Sequence, residues 1–113
     1  MTADPQFRED FQTAYAAVLW SMMVLRWCDA RWKRPVETAA AESRLAAIDK
    51  QATNMGLEPQ MEQAADDNAR QMATMRLDTM CTGGFDPFHA RAEKALAEIE
   101  RLIRGRQGSP ASD

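Results

Sequence analysis

Residues 14–25 read AYAAVLWSMMVL. These twelve positions carry no charge and no Gly or Pro. They do not alternate apolar with polar, as a half-buried strand does. Twelve residues are also too few to cross a bilayer, which needs about 20. The run therefore reads as the middle of a buried helix, and the rest of the chain is read outward from it.

The helix that contains this run starts at Asp4-Pro5. An aspartate followed by proline is a cap and a first helical residue, where the missing N–H of proline costs nothing. The spacing predicts a helix from about Pro5 to Lys33. Beyond it, Pro35 opens a second helix that stops near Met55, before Gly56. Pro59 opens a third, running to about Met80, and Gly83-Gly84 end it. Asp86-Pro87 repeats the start signal, and a fourth helix runs to about Arg104, before Gly105. Phe85 and Ala90 would staple its start weakly. Val and Ile are scarce, whereas Ala, Leu, Met, Glu, Gln and Arg, all good helix formers, dominate.

Each predicted helix carries an apolar stripe at three-four spacing. The first has Phe7, Phe11, Tyr15, Val18, Met22 and Leu25, and the second Ala41, Leu45, Ile48, Ala52 and Met55. The third has Met61, Ala65, Met72 and Met75, interrupted by Asn68, and the fourth Phe88, Ala92, Ala95, Ile99 and Leu102. Short connections make consecutive helices antiparallel neighbours. The expected fold is all-α, an up-down-up-down four-helix bundle over residues 1–104, followed by a small polar tail over 105–113. A chain of 113 residues, 45% hydrophobic, has room for one core and not two.

Topology makes a further statement about the two cysteines. In such a bundle the first and third helices run the same way, so Cys28 and Cys81 end at the same height. A disulfide between them is expected, and it needs Cα atoms within about 7 Å. Two features oppose it. The first and third helices are diagonal in a square bundle, and at 100° per residue Cys81 points away from Met72 and Met75 unless the helix loosens before it. A bridge would place the protein in an oxidising compartment, periplasmic or secreted; free thiols would place it in the cytoplasm. The opening MTADPQFRED lacks the basic start of a secretory signal, yet ADPQF would also suit the mature end of an exported chain.

Several chemistries lack their residues. Net charge is −3, from 14 basic and 17 acidic residues, and between Val36 and Met80 there are four bases and eight acids. The only basic cluster, Arg31, Lys33 and Arg34, complements a helix C-terminus. No nucleic-acid partner is expected. The single histidine, His89, excludes the paired Glu-x-x-His of bundle di-metal sites. TGGF has neither the spacing nor the lysine of a phosphate loop. Asp66-Asp67 reads as a solvated face. Cys28, Cys81 and His89, with Asp29 or Asp86, make only a weak metal set, and Cys81 with His89 only a weak catalytic pair. Of eight methionines, seven fall within predicted helices and read as core filling more readily than as copper ligands. No enzyme activity, metal or cofactor is expected.

The surplus lies on the first helix. Opposite its core stripe stand Ala16, Trp20, Met23 and Trp27, with Leu19 and Val24 on the flanks. A helix with one core face does not need them. Either this is the central helix, or the second face meets a partner or a ligand. Trp and Met favour interface cores. The expectation is a binding protein whose interface is Trp20, Met23 and Trp27, with a protein partner or a second copy as the occupant. The alternative is a carrier of a small apolar ligand or a soft metal.

Overall fold

The structure, a computed structural model, describes residues 5–107, and all their side chains except those of Leu77, Asp78 and Gln107. Every regular element among them is helical. Four long helices are α1 (Pro5–Trp27), α3 (Pro35–Asn54), α4 (Glu58–Met72) and α6 (Phe85–Gln107); α2 (Asp29–Trp32) and α5 (Leu77–Met80) are single turns. The predicted cap Asp4 and the tail beyond 107 lie outside the described residues.

Side-chain pairs give the course of the chain. Arg8 bonds Gln60, Gln12 bonds Asp67, Trp20 bonds Met75, and Cys28 is joined to Cys81. The two numbers rise together, so α1 and α4 run parallel. Arg26 pairs with Glu42 and Tyr15 with Asp49, so α3 is antiparallel to α1. Trp20 meets Phe88 and Phe7 meets Arg106, so α6 is antiparallel to α1 as well. This is the expected up-down-up-down course.

The cross-section is not a square. α1 makes its most extensive contacts with α6 and α4, and also touches α3. α3 and α4 are joined by a tight turn, yet α3 packs mainly on α6 and α1, and α4 on α1, rather than on each other. The molecule is flattened, with extents of 48 × 28 × 18 Å. The apolar run at 14–25 is thus the central helix, and its neighbour by contact is the helix a square would place diagonally.

Burial follows the stripes read from the sequence. Phe7, Phe11, Tyr15, Val18, Met22 and Leu25 of α1 meet Ala41, Leu45, Ile48 and Ala52 of α3 and Ala92, Ala95 and Ile99 of α6 in one core. Leu96 and Ile103 join it from α6, Ala64 from α4 and Leu57 from the turn before α4. Ala64 takes the place expected for Ala65, which is exposed. Asn68 does not interrupt this stripe but continues it. It is buried with its Oδ1 unpartnered among the described residues, which costs about 1–3 kcal/mol.

The helix ends differ from expectation at four places. α1 stops at Trp27 rather than Lys33; after the α2 turn, Lys33 takes the left-handed conformation with φ 54°, and its N–H bonds the Asp29 carbonyl. α4 ends at Met72, where the sequence carries no Gly or Pro, and the chain turns through Thr74 and Met75 before α5. α6 begins at Phe85, so Asp86 lies inside its first turn rather than capping it, and Ala90 is exposed rather than stapled. The same helix carries on through Gly105 to Gln107. The α3–α4 turn is as expected: Gly56 has φ 75°, and the N–H groups of Gly56 and Leu57 bond the carbonyls of Thr53 and Ala52. Buried Leu57 over buried Ala52 closes this helix stop.

α3 is held to α6 by Arg44, whose guanidinium bonds both carboxylate oxygens of Glu100 at 3.0 and 2.7 Å and reaches Glu93 at 2.8 Å. Those bonds hold the Glu100 carboxyl below its ordinary value of 4.5, against the opposing effect of its partial burial. A carboxyl with a lowered pKa in the folded state stabilises above its unfolded pKa and loses that contribution as pH falls through the folded one. Arg44→Met is therefore expected to cost about 1 kcal/mol at neutral pH. Urea unfolding should show this difference shrinking as pH drops below 4.5.

Candidate docking surface on the central helix

Cys28 and Cys81 form a disulfide, with Cα atoms 5.3 Å apart. Both obstacles read from the sequence are removed by the fold: α4 adjoins α1, and the break after Met72 frees Cys81 to turn. With Val24 the cystine makes a second buried cluster, walled by Trp20, Trp32, Met80 and Phe88. Trp32 closes it. Its Nε1–H donates to the Cys81 carbonyl at 3.1 Å, and its ring stacks on Phe88 and meets the edge of Phe85. The sequence reading did not single out Trp32; its signal was a tryptophan five residues past Trp27, beyond the end of α1.

The weak catalytic and metal sets lose their thiols here, because each sulfur is bonded to the other. His89 stacks on Phe85 at 4.8 Å, with Nε2 3.4 Å from a Glu93 carboxylate oxygen. Asp67 receives hydrogen bonds from Gln63 and Arg70 that hold its carboxyl below the usual range, while Asp66 is exposed. Among the described residues, no group of three or more His, Cys, Asp or Glu is placed to hold a metal. No helix among them is long and apolar enough to cross a membrane.

The three predicted interface residues separate. Trp20 is half-buried: its Nε1–H points at Met75 Sδ at 3.1 Å, its ring tilts on Phe88, and the Arg91 guanidinium lies 5.1 Å above it. Met23 is 38% exposed and Trp27 56%. These belong to one face of α1 with Gln12 and Ala16. α4 covers that face at Gln12, through Asp67, and the turn after it covers Trp20, through Met75. The chain then crosses to Cys81, and the last two turns of the face stay open. Met23 and Trp27 thus form a ledge beyond the end of α4.

Charge frames the ledge. Arg31 and Lys33 are exposed just past Trp27 and make no ion pair among the described residues, whereas Arg34 is bonded by Glu37 and sits 4.4 Å over the Phe85 ring. A second concavity runs between α1 and α6. It holds about 410 Å³ beside Thr13, Ala16, Ala17, Trp20 and Arg91, and continues past Ala17 toward Leu102.

No protein-family model, no curated protein and no solved structure matches this chain.

Closing the 53-residue span between the cysteines removes unfolded-state entropy worth about 4 kcal/mol. The Cys28→Ser/Cys81→Ser variant is expected to lose that much in a denaturant titration. Alkylation of the native protein should label no cysteine before reduction and both after it.

Proposed function

We propose that this protein is a non-enzymatic binding module, acting in an oxidising compartment such as a periplasm or secreted fluid, that docks a protein partner, a different chain or a second copy of its own, on the α1 ledge. The observation that carries the reading is the exposure of Trp27 beside Met23, on a face that the chain covers elsewhere. Tryptophan and methionine are enriched at the centres of protein interfaces, tryptophan because it buries much area for little lost side-chain freedom, methionine because its flexible thioether adapts to the surface it meets. The cystine supports the compartment, since such bridges persist where thiols are not kept reduced. It also supports a binding role, because it leaves no nucleophilic thiol beside His89.

A photo-cross-linker at Ala30, one turn past Trp27, tests the reading in cells of the source organism. One discrete protein adduct is expected. Trp27→Glu should abolish it while leaving helix content and the disulfide unchanged. An adduct that survives Trp27→Glu, or no adduct at all, overturns the proposal.

The groove between α1 and α6 favours a second reading, a carrier of a small apolar molecule lying along Ala16 and Ala17 against Trp20. With both sulfurs in the cystine, a soft metal would be left with methionine thioethers and the imidazole of His89. An apolar dye titrated into the protein should then quench tryptophan fluorescence to saturation, and Trp20→Phe should remove most of that quenching. A linear, unsaturable response would rule the carrier out.

A further inference from the structure

We infer that the occupant of the ledge is a second copy of this chain, in a twofold dimer in which α4 of each copy lies on the ledge of the other. The inference rests on the docking reading above and names its partner. It comes from the distribution of unpaired charge along the molecule.

The outer face of α4 carries Glu58, Glu62 and Asp66, spaced four apart and therefore stacked along one line. All three are exposed, and none makes a hydrogen bond or ion pair among the described residues. Between them the face is small: Ala65 and Ala69 are exposed there as well. At the other end, four and six residues past Trp27, come the exposed cations Arg31 and Lys33, neither of which has an ion pair among the described residues. One molecule thus has an acidic half and a basic, apolar half.

Shape follows the same division. Because α1 and α4 run parallel at a nearly constant offset, the fifteen residues of α4 overlie roughly the first two-thirds of α1. α4 is a raised step, and Met23 and Trp27 are the floor beyond it. The centre of the acidic line and Trp27 are about 27 Å apart along the axis, at 1.5 Å per residue.

A twofold axis perpendicular to α1, near the end of α4, turns the step of one copy onto the floor of the other. Trp27 then meets Glu62 and Ala65 of a symmetry copy, Met23 meets Asp66 and Ala69, and Arg31 and Lys33 face Glu58 and Glu62. Each contact occurs twice, as an isologous interface requires. A parallel arrangement would set acid against acid, so charge selects the antiparallel one.

Sedimentation equilibrium on the oxidised full chain tests this. At low salt, about 50 mM, a dimer is expected, weakening roughly tenfold or more by about 500 mM as the exposed pairs are screened. Arg31→Glu/Lys33→Glu and Glu58→Lys/Glu62→Lys should each be monomeric with unchanged circular dichroism. Mixed in equal amounts, the two variants should regain the dimer mass, because every reversed charge then meets an opposite one. A mixture that stays monomeric, variants that dimerise like the parent, or a parent that is monomeric at low salt overturns the dimer. The cross-link from Ala30 separates the two proposals: an adduct of twice the chain mass supports the dimer, and an adduct with a different protein overturns it while keeping the docking reading. Absence of any adduct removes both.

Discussion

A helix that is apolar on nearly every side must be surrounded, and α1 is that helix. Its core stripe from Phe7 to Leu25 and its second line of Ser21 and Val24, continued by Cys28 just past its end, are both buried. Satisfying two buried lines on one helix leaves no place for a square bundle in which each helix has two equal neighbours. α6 and α4 take the two sides of α1, and α3 fits against α1 and α6. The flattened section, the contact between helices that a square holds apart, and the reach of Cys28 to Cys81 all follow from this demand. Burial of a large apolar side chain is worth about 1.5–3 kcal/mol, which outweighs any preference for regular packing.

Polar contacts then fix orientation rather than supply the bulk of the stability. Tyr15 donates to Asp49, and its burial with that bond raises the phenol above its ordinary range. Arg44 spans α3 to α6, and Arg8 and Gln12 span α1 to α4. Each lies at the rim of an apolar seam, where a displaced register would leave a half-buried charge without its partner. At the far end of the molecule the aromatic rings of Trp32, Phe85 and Phe88 do the corresponding job around the cystine.

Much of this was legible in the sequence, and the misses share a physical cause. Ala41, Leu45, Ile48 and Ala52 are buried as their spacing predicted, because α3 is straight and bounded by Pro35 and Gly56. The all-α class and the pairing of Cys28 with Cys81 follow from the same local signals and their topology. Where a long-range contact overrode local preference, the reading failed. Nothing between Met72 and Arg76 breaks a helix, yet α4 ends there so that Cys81 can turn toward Cys28 and Met75 can lie under Trp20. Trp20, expected on an interface with Met23 and Trp27, is half-buried against Met75, Phe88 and Arg91. Ala64 replaced Ala65 because Asn68, dismissed as an interruption, belonged to the buried line. The acid line of α4 was visible as a four-residue spacing, but its meaning depended on which side of α4 the fold would leave open.

The position of the cystine divides the chain under mechanical load. The residues between Cys28 and Cys81 contain α2, α3, α4 and α5 whole, whereas α1 and α6 lie entirely outside the covalent loop. Tension applied to the two ends passes through the bridge and never along those four elements. Such a pull can draw out α1 and α6 but cannot extend the 53-residue span between the sulfurs. At about 3.5 Å per extended residue, nearly half of the contour length is withheld from stretching.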